Sequence, residues 1–230
     1  MSKSNALETA WLKLYFQAVA IANVADNAAS SPITNIFVGL HSGDPGEAGD
    51  QTTNEVSYTG YARVGVARTS GGWTVTNNVV NPAANIDFGL CTAGSATARF
   101  VGVGTLTSGA GVLGYSAAIG GAAKMAEVRT ADVAGDTIVS QAHGFSVNDE
   151  IVFWATYELT LPTGITEGTS YFVKTVPDAD TITISATLGG GTLDITAAGV
   201  GMVQKLTPIV ITNSPGVTPR LTTASAFREY

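Results

Sequence analysis

The chain has 230 residues, a formal net charge of −7 and only 13% charged residues. That length can bury a sizeable core in one or two domains, and the acidic balance excludes a non-specific nucleic-acid binder, which needs a basic surface. Two histidines and one cysteine exclude an intrachain disulfide and a zinc constellation built on them. No apolar run approaches the ~20 residues of a membrane span, and no signal-peptide-like core opens the chain, so neither a membrane protein nor a Sec-exported one is expected. Twenty-seven glycines, with abundant Thr, Val, Ala and Ser, favour short strands and many turns; the predicted class is all-β.

Residues 5–25 are predicted to form the single helix. Asn5 and Glu8 fit a capping box, with Ser4 a rival cap. Leu7, Trp11, Leu14, Tyr15, Ala18 and Ala22 recur at three- and four-residue steps, an apolar stripe that needs a neighbour. Trp11, Tyr15 and Phe16 suit two arrangements: packing on the chain's own sheet, or docking on a partner subunit. The stretch from Asp26 to Pro32 ends the helix and leads into a strand over 36–40.

A long turn follows that strand. Asp44-Pro45-Gly46 combines a preset φ with a residue free to take a positive one. Tyr61, Arg63 and Gly65 then alternate with Ala62, Val64 and Val66, the period-two pattern of a half-buried strand. Further strands are predicted at 73–76, 79–80, 86–88, 99–103 and 112–116. Turn signals between them give the spacing of a jelly-roll-like β-sandwich. The glycines of 109–114 match a dinucleotide-binding spacing, but a strand follows them where that motif requires a helix.

Near residue 125 the composition changes. Residues 126–205 hold three basic and ten acidic residues, so the whole net charge of −7 falls there. This segment has its own strand series, at 137–140, 150–154, 170–176, 181–185 and 192–195, with Asp178-Ala179-Asp180 as a turn. The predicted organisation is therefore a main domain, 1–125 plus 206–230, carrying an inserted acidic β-module at 126–205. A last strand is expected near 220–223.

Candidate chemistry is sparse. His41, Ser42 and Asp44 lie too close in sequence to fold back into a nucleophile–base–orienter arrangement, and His143 reads as a turn residue. Asp44, Glu47, Asp50 and Glu55 surround one Gly-rich loop, yet their spacing fits no standard calcium loop. Cys91 reads as a small buried hydrophobe. No catalytic, cofactor-binding or metal-binding residue is expected, and the chain reads as a non-enzyme. A loop as long as 42–58 tends to be functional. The candidate partner-binding residues are Trp11, Tyr15 and Phe16 on the helix, Asp44 and Glu47 in the loop, and Tyr58 where the loop ends.

The run from Phe37 through Leu40-His41-Ser42-Gly43-Asp44-Pro45-Gly46-Glu47-Ala48-Gly49, then Tyr58-Thr59-Gly60-Tyr61-Ala62-Arg63-Val64, resembles a family of small virion proteins of tailed bacteriophages, many labelled tail fibre proteins. Pro82 to Phe88 and Gly216 to Leu221 fit the same likeness, and the 126–205 segment resembles β-modules of other phage structural proteins. The resemblance implies a virion location after assembly in the bacterial cytoplasm. Its expected partners are other virion proteins and further copies of the chain, with no nucleic acid and no membrane. The role expected first is a capsid decoration (cement) protein on the outer surface of the head. The alternative is a tail, collar or tail-fibre component whose inserted module touches host or fibre.

Overall fold

The computed structural model describes residues 5–21, 32–129, 132–156, 159–214 and 218–228. In chain order its elements are α1 (Asn5–Gln17), β1 (Asn35–His41), β2 (Val64–Ala67), β3 (Trp73–Thr76), β4 (Val79–Pro82), β5 (Ile86–Asp87), β6 (Ser95–Ala98), β7 (Phe100–Gly104) and β8 (Leu113–Ala118). Then come β9 (Lys124–Val128), a 3-10 turn (Val133–Gly135), β10 (Ile138–Val139), β11 (Glu150–Trp154), β12 (Ser170–Thr175), β13 (Thr181–Ser185) and β14 (Gly199–Lys205), and finally β15 (Ile209–Thr212), β16 (Arg220–Leu221) and β17 (Phe227–Arg228). The fold is all-β and sandwich-like with one short helix. The chain divides into two compact units, Met1–Ala117 with Ile209–Tyr230, and Ala118–Pro208.

In the first unit β1 lies inside a four-stranded sheet of order β2-β1-β7-β8. Its neighbours are antiparallel, with Ile36 opposite Val66 and Gly39 opposite Gly102. A central strand buried on both faces reads as a nearly unbroken apolar run. Ile36, Val38 and Leu40 are fully buried, and so is His41 at the strand end. Smaller sheets complete the unit: β15-β6, β16-β5 and β17-β4-β3.

The helix is shorter than its apolar pattern predicts. Ala18 takes φ +55, which breaks the right-handed spiral, and the Val19 N–H returns to the Lys13 carbonyl at 3.1 Å. Arg68 then donates to the last-turn carbonyls of Leu14 (2.8 Å) and Tyr15 (2.7 Å). It satisfies orphan acceptors and sets a cation at the negative end of the helix. The predicted continuation to residue 25 falls largely on 22–31, outside the described residues, as do the side chains of the Asn5–Glu8 capping pair. Leu12 and Phe16 face inward. The Phe16 ring meets Trp73 edge-on at 4.8 Å, and Tyr115 and Phe227 lie at 5.3 and 6.3 Å.

The second unit is a closed six-stranded barrel of order β10-β13-β12-β11-β14-β9, with β9 pairing back onto β10. Alternate residues fill its interior: Ile151 and Phe153 from β11, Tyr171 and Val173 from β12, Ile182 and Ile184 from β13, Ala126 and Val128 from β9. Closure removes the exposed edges an open sheet would present. The unit begins ahead of the composition change at 126, because β9 is one of the barrel staves. Its two ends pair with each other: Gly120 bridges Leu206, and the Thr207 N–H donates to the Ile119 carbonyl at 2.7 Å. The predicted strand at 192–195 is instead a loop. Ile195 is buried, and its N–H donates to the Asp136 carboxylate at 2.7 Å.

Candidate functional site

The loop after β1 holds its own shape. The Asp44 carboxylate accepts from the Gly46 N–H at 3.1 Å, the short-range bond that favours Asp at turn starts. The Asn54 amide donates to the Asp44 carbonyl at 2.7 Å, and the Ser42 N–H to the Asn54 carbonyl at 2.7 Å. Asp50 accepts from the Thr52 hydroxyl and N–H at 2.6 and 2.7 Å. Those bonds, the hydroxyl's first, hold its carboxyl below the usual aspartate range. The loop is thus a bonded structure rather than a free linker.

The loop is tied down by an ion pair between a buried arginine and a partly buried glutamate. Arg63, just ahead of β2, is buried, and its guanidinium grips Glu55 with two bonds of 2.7 Å each. The remaining donors reach the carbonyls of Gln51 (2.9 Å), Leu106 (3.0 Å) and Gly109 (2.8 Å). The planar fork of five donors suits this task where a lysine would not. Tyr61 completes the pair: its hydroxyl donates to Glu55 at 2.9 Å and accepts from the Leu40 N–H at 3.0 Å. Burial pushes the Tyr61 pKa well above the ordinary phenol value.

Gln51 ties the loop to a second one, the hairpin between β7 and β8. Its side-chain amide donates to the Leu106 carbonyl (3.1 Å) and accepts from the Leu106 N–H (2.8 Å), while its own N–H donates to Ala110 (2.9 Å). Glycine is required around it, since a Cβ on Gly104 or Gly111 would occupy the Gln51 amide. Arg63 and Gln51 therefore lock 42–58 and 105–112 into one composite surface. In the hairpin Leu106 (47%) and Val112 (65%) are exposed, and in the long loop Glu47 is exposed.

The residues singled out in the sequence divide. Trp11 is 46% exposed, Glu47 is exposed and Asp44 is half-buried. Phe16 and Tyr58 offer a partner no surface, which corrects their expected role. Phe16 lies in the aromatic cluster under the helix, and Tyr58 is buried with its hydroxyl on the Gly89 carbonyl at 2.9 Å. Tyr15 is half-buried edge-on to Tyr115, 5.1 Å between centroids, and burial pushes its phenol up to about 12. The Tyr58–Tyr61 motif is framework: Gly60 takes φ +102, and a Cβ there would strike the Leu90 carbonyl.

His41, Ser42 and Asp44 are engaged separately. The His41 Nδ1 bonds the Thr53 carbonyl at 2.8 Å, and the Ser42 hydroxyl donates to the Asn54 carbonyl at 3.0 Å. Burial lowers the His41 pKa. The four loop carboxylates are also dispersed, with Glu55 on Arg63, and Asp44 and Asp50 on backbone. Among the described residues no three His, Cys, Asp or Glu side chains gather to hold a metal. Cys91 is buried. No helix among the described residues is long and apolar enough to cross a membrane. Sequence reasoning places a hairpin loop at 107–111 but missed Gln51 and the bonds that tie that hairpin to the 42–58 loop, and it counted Glu55 as a loop carboxylate. The alternation of Tyr61, Arg63 and Gly65 with Ala62, Val64 and Val66 points Arg63 outward, whereas Arg63 is buried ahead of β2 and Ala62 is exposed, so the pattern itself hid the lock.

A search of curated proteins and a search of solved structures each returned no match. A scan against protein-family models matched residues 2–143 to the family described as podophage GP4 fiber I protein gp80. The matched stretch contains α1, both locked loops and the first two barrel strands, and it ends inside the barrel. It spans more than half of the 230 residues, so the chain belongs to the podophage GP4 fiber I protein gp80 family and is a structural protein of the phage virion.

Proposed function

We propose that the chain is a tail-fibre component of a podophage particle, acting by binding rather than by chemistry. The observation that carries this reading is the match of residues 2–143 to a fibre-protein family. In this role the first unit docks on other virion proteins through its locked loops. The barrel is an inserted module, and its ten acidic residues against four basic ones keep it solvated. The engagement of His41, Ser42 and Asp44 in separate backbone contacts supports a non-enzymatic role. The capsid-decoration role expected from the sequence draws no support from the family match. Quantitative mass spectrometry of purified particles tests the assignment. A fibre component is present at about six to eighteen copies, set by closed cyclic symmetry, whereas a count on the order of hundreds returns the protein to the head surface.

A further inference from the structure

We infer that His143 is an acid-operated latch on one end of the barrel: its neutral ring holds Phe145 in the barrel core, and protonation of that ring lets the 142–146 loop open.

The latch follows from the bonding needs of an imidazole. A neutral ring has one nitrogen that donates and one that accepts, whereas a protonated ring has two donors. The Phe145 N–H donates to the His143 Nδ1 at 2.8 Å. A backbone N–H can only donate, so Nδ1 carries no proton and the ring hydrogen sits on Nε2. That nitrogen lies 3.3 Å from the Asp178 carbonyl, which accepts the hydrogen. The fold therefore selects one tautomer of the neutral ring. His143 and Phe145 are both buried, where a broken hydrogen bond leaves its donor unsatisfied.

What the ring holds belongs to the core. Phe145 stacks on His143 with 5.1 Å between centroids, and its side chain is part of the cluster with Ile138, Val173 and Ile182 that fills the barrel. The loop is also held against its own backbone preference. Ala142 takes φ +48, a conformation that a residue with a side chain keeps only while its surroundings impose it. Its N–H donates to the Asp180 carboxylate at 2.7 Å, and the His143 N–H donates to the Ala179 carbonyl at 3.2 Å.

Protonation sets an Nδ1–H against the Phe145 N–H, donor to donor. The charges around the ring decide where it then turns. From β9, the Lys124 ammonium donates to the Ala142 and His143 carbonyls at 2.5 and 2.9 Å and opposes a second cation. On the turn between β12 and β13, Asp178 and Asp180 favour one. The Asp178 carboxyl lies below the ordinary aspartate range, first through the Asp180 N–H and also through the His143 charge. Past Phe145, the Asp149 carboxylate accepts from the Ser146 N–H at 2.8 Å and is paired with Lys205. An imidazolium thus has carboxylates on the side of the 178–180 turn and a donor on the side of Phe145, so it is drawn toward the turn and gives up its hold on the Phe145 amide.

The test follows the full chain by NMR with labelled histidine and backbone amides. At pH 8 the His143 ring is expected as the Nε2–H tautomer. Between pH 8 and 5 its protonation should be matched by a fall of about tenfold in the exchange protection of the Phe145 amide, corrected for the intrinsic exchange rate. His143→Asn keeps a side-chain acceptor for the amide two residues on and takes up no proton, so its Phe145 amide should stay protected across that range. If His143→Asn does not fold, the wild-type spectra decide. An Nδ1–H tautomer at pH 8, a ring still neutral at pH 5, Phe145 protection that holds while the ring protonates, or wild-type pH dependence in His143→Asn overturns the inference.

Discussion

The two units hold their loops by opposite means. The barrel closes its sheet and fills it with Ile151, Phe153, Val173, Ile182 and Ile184, so its strands have no free edges and its interior needs no buried charge. The first unit is open, with one four-stranded sheet and three smaller ones. Small sheets leave long connections, and two of these are tied down by a buried arginine whose guanidinium contacts five acceptor atoms. Closure suits a module that must only stay folded. A buried polar lock suits a surface that must keep one shape, because its directional bonds break if either loop shifts.

The largest test of that difference removes one side of it. Replacing residues 118–208 by a short linker is expected to leave the first unit cooperatively folded, because the removed segment's ends pair with each other at Gly120 and Leu206. Loss of the remaining β-signal in circular dichroism would show that the barrel supports the open unit. Next in size, Phe153→Ala empties a fully buried site and is expected to cost about 3–5 kcal/mol, lowering only the barrel's transition in calorimetry. Arg63→Met strands the Glu55 carboxylate and three carbonyls and is expected to cost about 3 kcal/mol, this time in the first unit alone; adding Glu55→Gln should recover part of it. A single transition that moves equally in both variants would break the comparison. Gly104→Ala presses a Cβ on the Gln51 amide and is expected to cost about 1–3 kcal/mol by overpacking, with faster amide exchange across 105–112.

The smallest effect is in pH. Burial favours the neutral His41 imidazole, so its folded pKa lies below the ordinary value. The unfolded chain therefore takes up the proton first as the medium acidifies. Stability from this residue is complete above about pH 6.5 and is lost as pH falls toward the lowered folded value, by at most about 1.4 kcal/mol per pH unit. Urea titrations between pH 8 and 5 should register that slope, and His41→Gln should flatten it.

Much of the fold was legible because its strands carry strong local signals. Trp73 to Thr76, Glu150 to Trp154 and Thr181 to Ser185 are bounded by turn residues and have the bounds the sequence predicts. β9 and β14 were not legible. Lys124-Met125-Ala126-Glu127-Val128 and Gly199-Val200-Gly201-Met202-Val203 are too poor in large apolar residues to announce themselves, and pairing with each other makes them strands. The helix was overread because its apolar stripe continues past Ala18, while its end is set by a left-handed residue and by Arg68, fifty residues on. The locked loops were half-legible. Turn chemistry pointed to 42–58, but Arg63 reaches Leu106 and Gly109 across more than forty residues, a distance over which local pattern carries no information.

The pairing of β9 with β14 also sets how the barrel answers to force. Lys124, where the chain comes in, stands opposite Val203, beside the point where it leaves. Tension between the two ends therefore loads that ladder one rung at a time, so it peels like a zipper instead of shearing along its whole length. Pulled by its two ends, the barrel is therefore expected to open at this seam first, at a lower load than a barrel whose ends lie on opposite sides.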